Sequence, residues 1–205
     1  DTNRFAKDAK IIHIDVDAAE INKNVVVDLG IVGDAKNVLK ELNEKLTRQN
    51  HPQWLKEIRD LKERYPLSYD DEGLTGPYVI EQIDYLTNSE AIICTDVGQH
   101  QMWTAQYFKF NAPRRLITSG GLGTMGFGLG ASIGAQLGKP DCKVINIAGD
   151  GSFMMNCNEL ATAVKNNLPI VVVIMNNNVL GMVRQWQTLF FDGRYSNTTL
   201  DRKTD

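Results

Sequence analysis

Two segments carry the residues best suited to chemistry: Gly149-Asp-Gly-Ser-Phe153 and Asn176-Asn-Asn-Val-Leu-Gly181. Each directly follows a short run rich in Ile and Val, Lys143 to Ala148 and Ile170 to Met175. Neighbouring paired strands lie about 4.8 Å apart, so a carboxylate from one loop and an amide oxygen from the other can meet on one cation. Magnesium takes six oxygens at about 2.1 Å and is held by few protein groups plus substrate phosphates. Asp150, one Asn side chain, a backbone carbonyl, two phosphate oxygens and a water would complete that shell. The glycines flanking Asp150 leave room for the phosphates, and the pairing predicts a metal–diphosphate site. Taken alone, the Asn run reads as a turn that tolerates positive φ.

Two further loops have unusual composition. After Ala91 to Thr95 comes Asp96-Val-Gly-Gln-His-Gln-Met-Trp103, with a glycine for close backbone approach and Gln99 and His100 as polar donors. By itself this segment reads as a capped helix start with a hydrogen-bonded histidine. After Arg115 to Thr118 comes Ser119-Gly-Gly-Leu-Gly-Thr-Met-Gly-Phe-Gly-Leu-Gly130. Gly121, Gly123 and Gly126 spell GxGxxG between a strand and a predicted helix, and Asp150 follows near the end of the next strand. Such glycines let backbone N–H groups reach a pyrophosphate at a helix N-terminus. The stretch is open to a second reading, close helix–sheet packing through small residues.

The elements that must position these loops are legible from periodicity. The four Ile- and Val-rich runs suit strands buried on both faces of a parallel sheet. Ser152 to Asn167 has apolar Phe153, Cys157, Leu160, Ala161 and Val164 at helical spacing, and Asn166, Asn167 and Pro169 end it. Strand, helix, strand in this order implies a right-handed crossover and a doubly wound parallel sheet of the α/β class, with ligands beyond the carboxyl ends of the strands. Residues 1–48 read as strand, loop, strand, helix: Lys10 to Ile14 ending at Asp15, then Val25 to Val27, then a helix opened by Asp34 with Val38, Leu39, Leu42 and Leu46 on its apolar face. Residues 49–72, charged and containing Pro52 and Pro66, read as a connecting helix and linker, and 73–205 as the larger domain.

Composition excludes several classes. The 205 residues are 42% hydrophobic and 23% charged, which is globular rather than disordered. A net charge of −3 gives no case for nucleic acid or a membrane surface as partner. Apolar runs such as Ile170 to Met175 fall far short of the roughly 20 residues a membrane span needs. The first residues are no signal peptide, and Cys94, Cys142 and Cys157 form no CxxC pair, so they read as reduced thiols of a cytosolic-type protein. The absence of an initiator Met and of a closing element suggests a fragment of a longer chain.

Gly149-Asp-Gly-Ser-Phe, followed about 25 residues later by Asn-Asn, resembles the thiamine-diphosphate motif. Gly98-Gln-His-Gln-Met-Trp103, Ser119-Gly-Gly-Leu-Gly-Thr-Met-Gly126 and Gly181-Met-Val-Arg-Gln-Trp186 narrow the resemblance to the catalytic (large) subunits of the acetolactate synthase family, over nearly the whole chain. The resemblance implies a transferase that decarboxylates pyruvate and condenses it with pyruvate or 2-ketobutyrate, the first common step of branched-chain amino-acid biosynthesis, with thiamine diphosphate, Mg2+ and FAD as cofactors. Another thiamine carboligase or decarboxylase, such as glyoxylate carboligase or pyruvate oxidase, is the alternative. Residues 1–48 then resemble the end of a middle, FAD-binding domain, and 73–205 most of the diphosphate-binding domain.

Residue by residue, the resemblance assigns magnesium to Asp150, the Asn177 side chain and the Val179 carbonyl. It assigns cofactor contacts to Val97, Gly98, Gln99, His100, Gly151, Ser152, Leu180 and Gly181. Met125 would hold the cofactor bent, the Gly123 carbonyl would accept from its 4′-amino group, and Met182 would complete the catalytic face. Met182 and Trp186 would face the substrate channel, and Asp15, Val16, Asp34 and Ala35 would contact FAD. Gly130 stands where the family pattern has Pro, which should loosen a helix start. The catalytic glutamate would come from a domain outside this chain, across a homodimer or tetramer, so residues 1–205 alone should be inactive. A regulatory small subunit is a further implied partner, and the compartment is cytoplasmic in bacteria or organellar in eukaryotes.

Overall fold

The structure, a computed structural model, describes residues 2–70 and 72–200. The chain divides into two compact units, Asp1–Pro66 and Leu67–Asp205.

In the first unit, β1 (Ile12–Asp15) and β2 (Leu29–Val32) pair in parallel, with Ile12 opposite Leu29 and Asp15 opposite Val32. The second strand therefore lies after the expected Val25–Val27. Local polar contacts explain the shift: Val27 N donates to the Asn22 side chain at 2.9 Å, and Ile11 N donates to the Asp28 carboxylate at 2.8 Å. These bonds hold residues 22–28 in a loop, and pairing begins only beyond Asp28. α1 (Ala35–Lys45) starts where expected, because Asp34 accepts from Asn37 N at 3.1 Å and satisfies a first-turn donor. α2 (Pro52–Arg64) has its proline at the first helical position, where the missing N–H costs nothing.

The second unit opens with α3 (Gly76–Thr87), then β3 (Ile92–Thr95), α4 (Gln99–Tyr107), β4 (Leu116–Ile117), α5 (Phe127–Gly138) and β5 (Val144–Gly149). α6 (Asp150–Met154), α7 (Leu160–Lys165), β6 (Val171–Met175) and α8 (Gly181–Phe190) follow. The four strands form one parallel sheet in the order β4-β3-β5-β6. Alternation along the central strands sends side chains to two cores. Ile93, Ile145 and Ile147 pack with Ile80 of α3 and Trp103 and Tyr107 of α4, whereas Ile92, Cys94 and Val144 pack against Ala131 and Ala135 of α5. Helices thus cover both faces of β3 and β5, as the doubly wound reading requires.

Two further expectations are corrected. β4 and β6 are edge strands, β4 half-buried and β6 with Val171 and Ile174 exposed, so neither apolar run is buried on both faces. The helix expected over 152–167 is broken: α6 ends at Met154, a 3-10 turn spans Cys157–Glu159, and α7 starts at Leu160. Asn156, at φ −143°, makes the break and donates its side-chain amide to the Gly126 carbonyl at 3.3 Å. The three cysteines are free, as expected.

Gly130 does not open a helix. It lies inside α5, exposed, at ordinary φ and with nothing within 4 Å of an added Cβ. Gly128 of the same helix is different, because its backbone lies directly against the sheet: a Cβ there would sit 2.6 Å from Asn146 Oδ1 and 2.8 Å from Asp96 N. We expect Gly130→Ala to stabilise the full-length chain by about 0.5–1 kcal/mol. Gly128→Ala should destabilise it by about 1–3 kcal/mol, through overpacking. Urea unfolding of both variants checks the opposite signs.

Candidate active site

The site lies where the loops of β3 and β5 part company. β3 runs into α4 on one face of the sheet, and β5 runs through α6 toward α7, which packs beside α5 on the other. Diverging loops at the carboxyl ends of adjacent parallel strands leave a crevice, the place where open α/β sheets bind ligands. A cleft with about 440 Å³ of free space up to its mouth occupies that position.

Three segments wall it. Val97, Gly98, Gln99 and His100 come from the turn after β3 and the start of α4. Asp150, Gly151 and Ser152 come from the first turn of α6, directly after β5. Asn177, Val179, Leu180, Gly181 and Met182 come from the loop after β6 and the start of α8. Met125 reaches the same cleft from the glycine-rich loop. α4 and α8 therefore both begin at the cleft, and their first-turn N–H groups and dipoles favour an anion there.

The wall is close-packed. A Cβ on Gly151 would come within 2.7 Å of Leu180 Cδ2, and one on Gly181 within 2.2 Å of Gln99 Oε1 and 3.0 Å of Asn177 Nδ2. Gln99 reaches across from α4 to α8 and donates to Gln185 Oε1 at 3.0 Å. Asp150 is 2% exposed, and its Oδ2 accepts from Asn178 N at 3.1 Å, which joins the β5 and β6 loops directly. Asn177 Oδ1 accepts from Val179 N at 3.1 Å, so the Asn run does form the turn that its composition suggests. A short antiparallel bridge between Val179 and Thr199 backs this loop, with Leu180 N donating to Thr198 O at 2.8 Å.

Two expected residues sit apart from the rest. Gly123, at φ +64°, is exposed on the glycine-rich loop, and only Val97 of the cleft wall lies within 4 Å of its Cβ position. Trp186, one turn beyond Met182 on α8, is 59% exposed and packs edge-to-face against Phe190 rather than lining the cleft. In the other unit, Asp15 with Val16 and Asp34 with Ala35 stand at the carboxyl ends of paired β1 and β2. Sequence reasoning gave no role to Trp103, Met175 and Val183, which add apolar wall, or to Asp96. Helical i,i+4 spacing from Gln99 to Trp103 is the signal that places Trp103 beside the expected segment.

His100 is 4% exposed and its Nε2 has no hydrogen-bond partner among the described residues. Burial pushes its pKa down to about 4, against the opposing pull of the Asp96 carboxylate and carbonyl and of the Asp150 carboxylate. The native imidazole is thus neutral at pH 7, while the unfolded chain takes up a proton below pH 6.5. Stability should fall as pH drops from 6.5 toward 4, by up to roughly 3 kcal/mol from this group. His100→Gln should remove that share of the slope in urea unfolding of the cofactor-free full-length chain; identical slopes would contradict it.

Residues 96–205, more than half of the chain, match the family described as thiamine pyrophosphate enzyme, C-terminal TPP binding domain. Residues 1–42 match the thiamine pyrophosphate enzyme central domain. The chain is 47% identical to a probable acetolactate synthase large subunit of Methanococcus aeolicus, over 95% of this chain and 36% of that protein. It is 48% identical to the acetolactate synthase large subunit of Corynebacterium glutamicum, over 98% of this chain and 33% of that protein. Identity to the chloroplastic acetolactate synthase 2 of Nicotiana tabacum is 48%, over 96% and 31% of the two chains. The chain thus spans about a third of the length of these relatives. With the diphosphate-side motifs gathered around one cleft and the family match covering all of them, the chain belongs to the thiamine pyrophosphate enzymes.

Proposed function

We propose that the full-length chain is the catalytic subunit of an acetolactate synthase. It would decarboxylate pyruvate and join the product to pyruvate or 2-ketobutyrate, giving 2-acetolactate or 2-aceto-2-hydroxybutyrate for branched-chain amino-acid biosynthesis. The observation that carries the reading is the single cleft in which a buried carboxylate, an amide and two helix starts face the apolar Met125 and Met182. The names of the relatives support the particular reaction.

The donor set suits magnesium bound together with a diphosphate. Asp150 offers one carboxylate, Asn177 an amide and Val179 a carbonyl, and magnesium is typically held by one or two carboxylates plus phosphate oxygens. Among the described residues no group of three or more His, Cys, Asp or Glu is gathered, so this shared oxygen site is the arrangement the chain offers. The orphaned Nε2 of buried His100, with Gln99 and the N–H groups of Gly151 and Ser152, suits the diphosphate. When bound, thiamine diphosphate supplies the carbon nucleophile and electron sink for loss of carbon dioxide from a 2-ketoacid.

The chain's own residues then orient and shield. Met125 and Met182 line the cleft and would flank the cofactor's reacting ring with little polarity, and Trp103 and Val183 extend the apolar wall, which disfavours water. Gly123, free of side-chain bulk, offers its carbonyl to the cofactor's amino group. Trp186, exposed one turn beyond Met182 on α8, meets the substrate. Asp15, Val16, Asp34 and Ala35 contact FAD at the strand ends of the first unit, where the exposed Val16 and the start of α1 leave backbone accessible. The catalytic glutamate is supplied from outside this segment by a partner subunit of a homodimer or tetramer, and a regulatory small subunit joins the assembly. The enzyme works in the bacterial cytoplasm or a eukaryotic organelle; among the described residues no helix is long and apolar enough to cross a membrane.

The test is turnover of pyruvate by the full-length chain with thiamine diphosphate, magnesium and FAD, with acetolactate read as acetoin after acid decarboxylation. Asp150→Ala should lower activity by at least about 100-fold, beyond the 10–100-fold typical of residues one shell out from a metal. Excess magnesium should restore part of the cofactor binding. Pyruvate consumed without acetolactate would move the assignment to a decarboxylase or oxidase.

A further inference from the structure

We propose that Asp96 is a positioning residue of this site: its buried carboxylate clamps the end of the glycine-rich loop 119–126 to the turn after β3 and so fixes where Met125 stands. The inference rests on the thiamine-diphosphate reading of the cleft.

The loop has little of its own to hold its shape. Four of its eight residues are glycine, and Gly120, Gly121, Leu122, Gly123 and Thr124 are all exposed, Leu122 to 96%. A segment so rich in glycine loses much backbone entropy on ordering and has little side-chain packing here to compensate. Its order must come from its two ends. At the start, Gln101 Nε2 donates to Thr118 Oγ1 at 2.8 Å, Thr95 Oγ1 donates to the same hydroxyl at 2.7 Å, and Ser119 Oγ accepts from Thr124 N at 3.0 Å.

At the other end Asn156 donates to the Gly126 carbonyl, and Asp96 gathers the N–H groups. One oxygen, Oδ1, accepts from both Val97 N at 2.9 Å and Gly126 N at 2.7 Å, and Oδ2 accepts from Gly128 N at 3.4 Å. Asp96 is 1% exposed and takes part in none of the ion pairs among the described residues. Its charge is met instead by these N–H groups and by the start of the twelve-residue α5, which favours an anion. Gly126, at φ +89°, turns the chain from the loop into α5, and Met125 is its immediate neighbour. The same carboxylate oxygen therefore sets Val97 on one wall of the cleft and Met125 on the other. An amide cannot replace it fully: the Asp96→Asn side chain keeps one acceptor oxygen but turns a donor toward Gly128 N.

The test uses the full-length holoenzyme with thiamine diphosphate and magnesium. The readouts are cofactor affinity, thermal midpoint, and exchange of the bound cofactor's thiazolium C2 proton in heavy water, followed by proton NMR. Asp96→Ala should slow C2 exchange and kcat together, by on the order of 10- to 100-fold, the scale of a misplacement near 1 Å. Cofactor affinity should change far less, because Gln99, His100 and Asp150 remain. Asp96→Asn should fall between the wild type and Asp96→Ala. As a control for plain loss of stability, Asp84→Ala removes another buried carboxylate, on α3 away from the cleft, which accepts from Ser89 Oγ; it should lower the midpoint and leave C2 exchange unchanged. Wild-type exchange in either Asp96 variant, or equal slowing in Asp84→Ala, overturns the positioning role. Should Asp96→Ala not fold, Asp96→Asn decides by the same readout. A wild-type protein that binds no thiamine diphosphate overturns the reading of the cleft itself, and the inference with it.

Discussion

Everything at the cleft depends on β3 and β5 lying side by side, in register from Ile92 opposite Val144 to Thr95 opposite Ile147. That pairing is enforced by burial, because Ile93, Cys94, Val144 and Ile147 are completely buried and helices cover both faces. Slipping the register by one residue would exchange the two cores, sending Ile93 toward α5 and Cys94 toward α3. The polar residues that follow, Asp96 and Asp150, are thereby delivered to the same end of the sheet with no freedom to separate. Their loops must then leave toward opposite faces, since α4 lies on one and α7, beside α5, on the other. The crevice is a consequence of the handedness of the crossovers, and the chemistry occupies it.

The sheet end is unusually polar for an interior. Thr95, Asp96, His100, Asn146, Asp150 and Ser152 are all buried there or just below it. Burying such groups costs free energy unless each finds a partner. Most find one: Thr95 with Thr118, Asp96 with three N–H groups, Ser152 with both the N–H and the carbonyl of Gly149. The apolar core thus supplies the stability against which a polar rim is held in shape. In consequence the rim residues can be chosen for what they hold rather than for how well they pack.

Much of this is legible in the sequence, for a physical reason. Strands buried on both faces are mostly apolar, so β3 and β5 stand out as Ile-rich runs despite Thr95 and Asn146, and the loops after them stand out by contrast. The position of β2 is not legible, because Val25 to Val27 has strand composition, yet the Asn22 side chain takes the Val27 amide out of pairing. The break between α6 and α7 is hidden because apolar spacing continues across it; only the contact of Asn156 with Gly126, 30 residues away, reveals it. β6 reads as buried because composition cannot distinguish an edge from a centre. Asp96 does not stand out because an acidic residue after a strand is common, and two of its three acceptor contacts are set by the distant start of α5.

The protonation of His100 shows how the site divides its electrostatic labour. Two carboxylates, Asp96 and Asp150, pull toward a charged imidazole, and burial still prevails. A neutral ring can donate one hydrogen bond to an anionic ligand, so in the cofactor-free cleft the imidazole is not a buried cation in need of a partner. In the proposed function the negative charge of a diphosphate would be met by a metal held at Asp150 and by the starts of α4 and α8, whose dipoles are fixed and carry no titratable proton. In the cofactor-free cleft the imidazole titrates well below the physiological range of pH and the helix-start donors do not titrate at all, so neither changes its charge across that range.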